Sequence, residues 1–172
     1  MILAIDPGTT RSAWVLWDPF QRTISRHGCE DNHEVLDRLA SRSWDDNTVM
    51  VVEMIASYGM PVGAEVFETC VWIGRFVQAW SPDDGHVRRA WRRLYRREVK
   101  LHLCGSARAR DANVRQALLD LVGPRGTKCA PGPTYGLRAD EWAALGVAVT
   151  AAASDETTTS DETTTAQMGL AL

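Results

Sequence analysis

The N-terminal stretch MILAIDPGTTRSAWVLWD constrains the fold more than any other part of the chain. Apolar residues 2–5 stop at Asp6, Pro7-Gly8-Thr9-Thr10 follow, and a second apolar run covers residues 13–17. Two short apolar runs around a Pro-Gly pair read as two strands joined by a turn. A third run, TVMVVEM at 48–54, is continuous and β-branched, the pattern of a strand covered on both faces, and it closes on Glu53. An acid at the end of a buried strand is costly unless it is exposed or paired. Asp6 is open to three readings: a turn-former, a phosphate-loop residue or a metal ligand. Glu53 is harder to explain as a turn residue, because Glu is depleted in strands and turns alike.

The rest of the chain supplies helices around these strands. RTISRHG at 22–28 reads as a third strand that completes an antiparallel meander. EDNHEVLDRLASR has Val35, Leu36 and Leu39 at helical spacing, with Asp31 or Asn32 placed to cap. Residues 61–80 predict a long helix with Pro61 in its first turn. Its apolar face holds Val62, Val66, Thr69, Cys70, Ile73, Phe76 and Val77, with Val71 and Trp72 off that stripe. VRRAWRRLY has no helical stripe and is compatible with a strand. RREVKLHLCG predicts a short helix closed by Gly105, and RDANVRQALLDLVG a further one. A Gly/Pro-rich loop leads to a small-residue helix starting at Asp140. This order, β-β-β-α-β-α-(β)-α-α-α, predicts a mixed α/β domain over residues 1–152. Beyond it, SDETTT occurs twice in tandem, and the segment 153–172 reads as a low-complexity, disordered acidic tail.

Charge narrows the function. The net charge is −3, yet residues 88–128 carry twelve Lys/Arg against the three acids Glu98, Asp111 and Asp120. A compact basic block on an acidic chain fits a phosphate-rich partner. No apolar run is long enough to span a membrane and no export signal is visible, so a cytoplasmic protein is expected. The four cysteines form no CxxC and match no common zinc spacing; reduced, mostly buried thiols are expected.

Asp6, Glu53 and Asp140 are thus three acids at element ends, far apart in sequence. If the strands of Asp6 and Glu53 are neighbours, their carboxylates share one sheet edge, and Asp140 can complete a cluster. Such a cluster suits a hard divalent cation, and paired Mg²⁺ ions can activate water and stabilise the leaving oxygen of a phosphodiester.

Four segments resemble, in order, the RuvC-type Holliday junction resolvases, and among them the phage and prophage members. ILAIDPGTTRSAWVLWD resembles their first hairpin, and VMVVEMIASYG their second acidic strand. YRREVKLHLCGSARARDANVRQALLDLVG resembles their basic segment, and GPTYGLRADEWAALGVAVT their last helix. The resemblance implies an RNase H-like fold, a central mixed β-sheet flanked by α-helices. It implies a metal-dependent crossover junction endonuclease working as a homodimer through the helix at 61–80, on branched DNA, with two Mg²⁺ ions per site and Mn²⁺ as a substitute. No organic cofactor is implied. Asp6, Glu53 and Asp140 become the catalytic, metal-binding acids. The family's further ligand one turn on falls at Ala143, which leaves Glu141, a water or nothing in that role. Lys100, Arg96, Arg97 and Arg108 become contacts to the DNA backbone, and Tyr58 a residue near the junction centre. Asp111 stands where the familiar enzymes carry a basic residue, and a helix-N-terminal acid is its expected role.

Other classes compete. IDPGTT also resembles the first phosphate loop of sugar kinases and actin-like ATPases, but those proteins need two such domains and an adenosine motif that is not found here. A non-catalytic branched-DNA or RNA-binding protein on the same fold, or an RNA-processing nuclease, fits the same residues.

Overall fold

Residues 2–5 pair on both sides, which is why the first strand is apolar throughout. In the computed structural model, which describes residues 1–41, 43–57, 59, 61–82 and 89–168 (side chains to residue 154), β1 (Ile2–Asp6) lies at the centre of a five-stranded sheet. On one side runs the antiparallel meander of β2 (Arg11–Asp18) and β3 (Thr23–Asp31). On the other, β4 (Val49–Met54) and β5 (Trp91–Tyr95) run parallel to β1. The order is β3-β2-β1-β4-β5, a mixed sheet. The uncertain strand in VRRAWRRLY is β5, an edge strand in which the exposed Trp91 and Arg93 and the half-buried Arg92 hide the pattern.

Period-two alternation divides the core between two faces. Leu3, Ile5, Trp14, Leu16, Met50 and Val52 face α1 (Asn32–Ala40) and α2 (Ala64–Trp80). Ile2, Ala4, Val15, Trp17, Val51 and Leu94 face the helices α3 (Arg96–Cys104), α4 (Asp111–Val122) and α5 (Glu141–Met168). Helices on both faces of a mixed sheet form the mixed α/β architecture that the segment order predicts, the arrangement expected from the family resemblance. In α5, Ala144, Leu145, Val147, Ala148 and Ala151 are fully buried, and the backbone of the threonine-rich repeats continues the helix to Met168.

Local chemistry sets the element ends. Asp31 caps α1, its Oδ1 accepting from His33 N at 2.9 Å. Gly105 closes α3 in the left-handed region at φ 66°. The long helix starts later than its sequence suggests: Gly63, extended at ψ 173°, is the N-cap and Pro61 lies outside. Its buried face also differs, comprising Thr69, Trp72, Ile73, Phe76 and Trp80. The bulk of Trp72 and Trp80 turns the helix so that Val66 is only half-buried, while Phe67 and Val71 stand 62% and 59% exposed. The cysteines are free; Cys29, Cys70 and Cys104 are half-buried, Cys104 against the core, and Cys129 is exposed, so none is fully buried.

Candidate active site

The register of three parallel strands builds the site. Ile5 pairs with Val52, so the next residues, Asp6 and Glu53, lie side by side where the strands end. Glu53 pairs in turn with Leu94, and Arg96 begins α3 directly after β5. Asp6 follows Ala4 by two and Glu53 follows Val51 by two, so both side chains take the face covered by α5. Asp140 precedes that helix, its carbonyl accepting from Ala143 N at 2.9 Å and Ala144 N at 3.1 Å. The carboxyl ends of parallel strands are where α/β proteins place ligands.

The turn after Asp6 is latched from beneath. Asn32 and Ser12 are buried. Gly8 N donates to Ser12 Oγ at 3.3 Å, Ser12 Oγ donates to Asn32 Oδ1 at 2.6 Å, and Asn32 Nδ2 donates to Gly8 O at 3.0 Å. A Cβ on Gly8 would sit 2.4 Å from Arg11 O, so only glycine fits. Sequence reasoning used Pro7 and Gly8 but missed Ser12 and Asn32. Each is a polar residue just ahead of an apolar pattern, at the starts of β2 and α1, and that position was the available signal.

Asp6, Glu53, Arg96, Asp111, Arg115, Asp140, Trp142 and Ala143 line one cleft of about 690 Å³. Arg96 spans it: Nη1 lies 3.5 and 3.4 Å from the two Glu53 oxygens, and Nη2 donates to Asp111 Oδ1 at 2.9 Å. Lys100 Nζ reaches the same Asp111 oxygen at 3.2 Å. A recess of about 220 Å³ also borders Asp6, Glu53 and Arg96, together with Pro7 and residues 54–56.

Burial dominates the electrostatics. It pushes the Asp6 carboxyl from 3.8 up to about 8, the Glu53 charge adding to the rise and Arg96 opposing it. Glu53 is also raised by burial, against the pull of Arg96. Arg96 is raised despite its own burial, because Glu53, Asp111 and Asp6 surround it. Asp111 is lowered chiefly by the Arg96 hydrogen bond, with burial opposing and Lys100 assisting. The site therefore favours a protonated Asp6 carboxyl beside Glu53 and holds an internal guanidinium.

The remaining sequence candidates fall elsewhere. Glu141 does not line the cleft: it accepts from Arg138 N at 2.6 Å, and its Oε1 lies 3.2 Å from His27 Nδ1 on β3. Its place one residue after Asp140 turns it toward the sheet, where it fixes the start of α5. Arg97 and Arg108 are exposed on α3 and the following loop. Tyr58 lies outside the described residues. Asp111, expected only as a helix-N-terminal acid, does begin α4 and also belongs to the cleft. The basic block divides: Arg89 contacts Trp44 O and Asp46, Arg92 donates to Ala151 O at 2.6 Å, and Arg115 stacks on Trp142. Arg93, Arg97, Arg108, Arg110, Arg125 and Lys128 are exposed.

No protein-family model matches the chain, and no curated protein sequence does. Solved structures similar over most of their length include two of RuvC. One is RuvC of Thermus thermophilus, 16% identical, with a TM-score of 0.55 over 87% of this chain and 91% of that one. The other is T. thermophilus RuvC in complex with a Holliday junction substrate, 14% identical, with a TM-score of 0.59 over 87% and 90%. The fold is that of RuvC. On the RuvC fold of this chain, the three acids chosen from sequence border one cleft. Among the described residues, however, no three His, Cys, Asp or Glu side chains stand in a group able to hold a metal ion. Arg96 is the cation in contact with Glu53 instead.

Proposed function

We propose that this protein is a divalent-metal-dependent endonuclease that cuts branched DNA, in the manner of a Holliday junction resolvase of the phage or prophage type. One observation carries the reading: three acids from distant segments border one cleft with Arg96 at the carboxyl edge of parallel strands on a RuvC fold. The donor chemistry suits a hard cation, since the cleft offers carboxylate oxygens and no thiol or imidazole. Asp6, Glu53 and Asp140 would hold Mg²⁺, two ions per site, with Mn²⁺ substituting. When bound, such ions supply an activated water and charge neutralisation at the leaving oxygen. The chain's own residues do the rest. Asp6 would give up its proton to serve as a full ligand beside Glu53, and Arg96 and Arg115 on the cleft wall, with Lys100 behind Asp111, would set positive charge toward a scissile phosphate.

A four-way junction needs two symmetric cuts, which a two-fold homodimer would supply. Phe67, Val71 and Gly74 form an exposed stripe on α2, and a Cβ on Gly74 would meet nothing within 4 Å, so the stripe is open to a second copy. Among the described residues no helix is long and apolar enough to cross a membrane. A DNA substrate puts the protein's work in the cytoplasm of a bacterial or phage-infected host.

The Arg96–Glu53 contact favours a second reading, a junction-binding protein without nuclease activity. Synthetic four-way junctions, linear duplexes and RNA–DNA hybrids, incubated with Mg²⁺ and either wild type or Asp6→Asn, separate the two. Junction nicking by wild type and none by Asp6→Asn is the expected result. Junction binding with no nicking at any Mg²⁺ concentration would sink the nuclease reading.

A further inference from the structure

Asp111 is the acid that the three-carboxylate reading does not use, although it borders the same cleft. It stands at the start of α4 with its side chain 73% exposed, where a helix-terminal acid needs no partner. It nevertheless receives two cations, Arg96 Nη2 at 2.9 Å and Lys100 Nζ at 3.2 Å. Arg96 is a rigid fork, and its other nitrogen lies 3.4 Å from Glu53. One guanidinium thus bridges a metal-ligand candidate at the strand end and an acid from another helix.

We infer that Asp111 is a positioning residue: it draws the Arg96 guanidinium off the carboxylates so that a divalent cation can take Glu53 while Arg96 stays in the cleft facing a phosphate. This rests on the metal-dependent reading above. The bridge explains why the chain tolerates an arginine against its own ligand set. With Asp111 charged, the guanidinium has an anchor on the far side of the cleft and can release Glu53 without being left unpaired. Without that anchor, its strongest partners are Glu53 and, through charge, Asp6, the groups a metal ion must take. A planar donor fixed by a second acid also keeps its direction, as Lys100, a flexible point charge, would not.

The experiment measures Mn²⁺ binding to the full-length protein without DNA, by electron paramagnetic resonance of free Mn²⁺. It compares wild type, Asp111→Asn, Arg96→Gln, the double variant and Asp120→Asn. Asp120, on the same helix, accepts from Gln116 at 2.8 Å and lies outside the cleft, so its variant controls for net charge. Asp111→Asn should weaken Mn²⁺ by roughly fivefold, the scale of an exposed charge pair. Arg96→Gln should tighten it. In the Arg96→Gln background the Asp111 effect should shrink to within about twofold, the limit of additive behaviour. An undiminished loss in the double variant would mean that Asp111 attracts or ligates the metal directly, and it overturns the proposal. So does an Asp111→Asn effect equal to that of Asp120→Asn. If wild type binds no Mn²⁺, the metal-dependent reading falls and this one with it; if wild type binds normally and only the Asp111 pattern fails, the nuclease reading stands.

Discussion

Asn32 donates its side-chain amide to the carbonyl oxygen of Gly8 at 3.0 Å, joining the first residue of α1 to the turn that follows the catalytic-acid candidate Asp6. Asn32 also accepts from Ser12 at 2.6 Å, and both side chains are buried. Asn32→Ala would leave the buried Ser12 hydroxyl proton without its acceptor and the half-buried Gly8 carbonyl without its side-chain donor, though Ser12 Oγ still accepts from Gly8 N. Losing the two bonds costs about 1–3 kcal/mol. Urea unfolding should show that loss, and nicking of a four-way junction should fall further than stability alone accounts for, because the turn no longer fixes Asp6.

The Asp6 carboxyl gives the metal-free protein a distinctive pH dependence. Its folded value of about 8 stands above the ordinary 3.8 because of burial and the adjacent Glu53. The folded state keeps a proton that the unfolded state releases, so this contribution is full below about pH 4 and is lost as pH rises toward 8. In EDTA, melting temperature should therefore fall between about pH 5 and pH 8. Mg²⁺ should flatten that slope by replacing the proton, and Asp6→Asn should flatten it without metal while abolishing nicking. Differential scanning calorimetry across that range checks it. A metal-free wild type with a level profile would remove the raised Asp6 carboxyl from the account.

The exposed stripe on α2 makes a separate prediction. Phe67→Lys places a charge on a side chain that is 62% exposed and absent from the core, so the monomer fold should keep its stability to within about 0.5 kcal/mol. Sedimentation should then show a monomer where wild type sediments as a dimer. Junctions should accumulate single nicks rather than paired cuts. A wild type that sediments as a monomer at all concentrations tells against the α2 interface.

The arginines of the basic block should separate into two behaviours. Arg97→Ala and Arg108→Ala, both on exposed positions, should lower junction affinity and reduce the salt dependence by about one phosphate contact each. Arg92→Ala should act on stability instead, because Arg92 holds the carbonyl of Ala151 at 2.6 Å. Binding titrations at several salt concentrations, alongside thermal melts, distinguish the two kinds.

Much of this architecture was legible in the residues because it is periodic. The runs at 2–5 and 48–54 are apolar because they lie mid-sheet with helices on both faces, and an acid closing such a run stands out. The edge strand β5 was hidden because an arginine stands on each face, Arg92 and Arg93, Trp91 is exposed and only Leu94 is buried. The face of α2 was partly misjudged: Thr69, Ile73 and Phe76 pack as expected, but the buried stripe is rotated to take in Trp72 and Trp80. At the site, position relative to a strand end identified Asp6 and Glu53. The Arg96 bridge was not legible, since it depends on α3 starting directly after β5 in register with β4. Glu141 was drawn into the ligand set by adjacency alone, whereas its partners come from β3 and the turn before α5.

The parallel register of β1 and β4 also limits how this chain can change over generations. Asp6 and Glu53 meet only because each follows its strand's pairing in step, Ile2 with Val49 through Ile5 with Val52. A codon lost or gained within β4 would turn Glu53 to the opposite face, among the tryptophans of the α1–α2 side. Lineages of this protein can therefore exchange residues in these strands but cannot change their length, and insertions are confined to the connections between them.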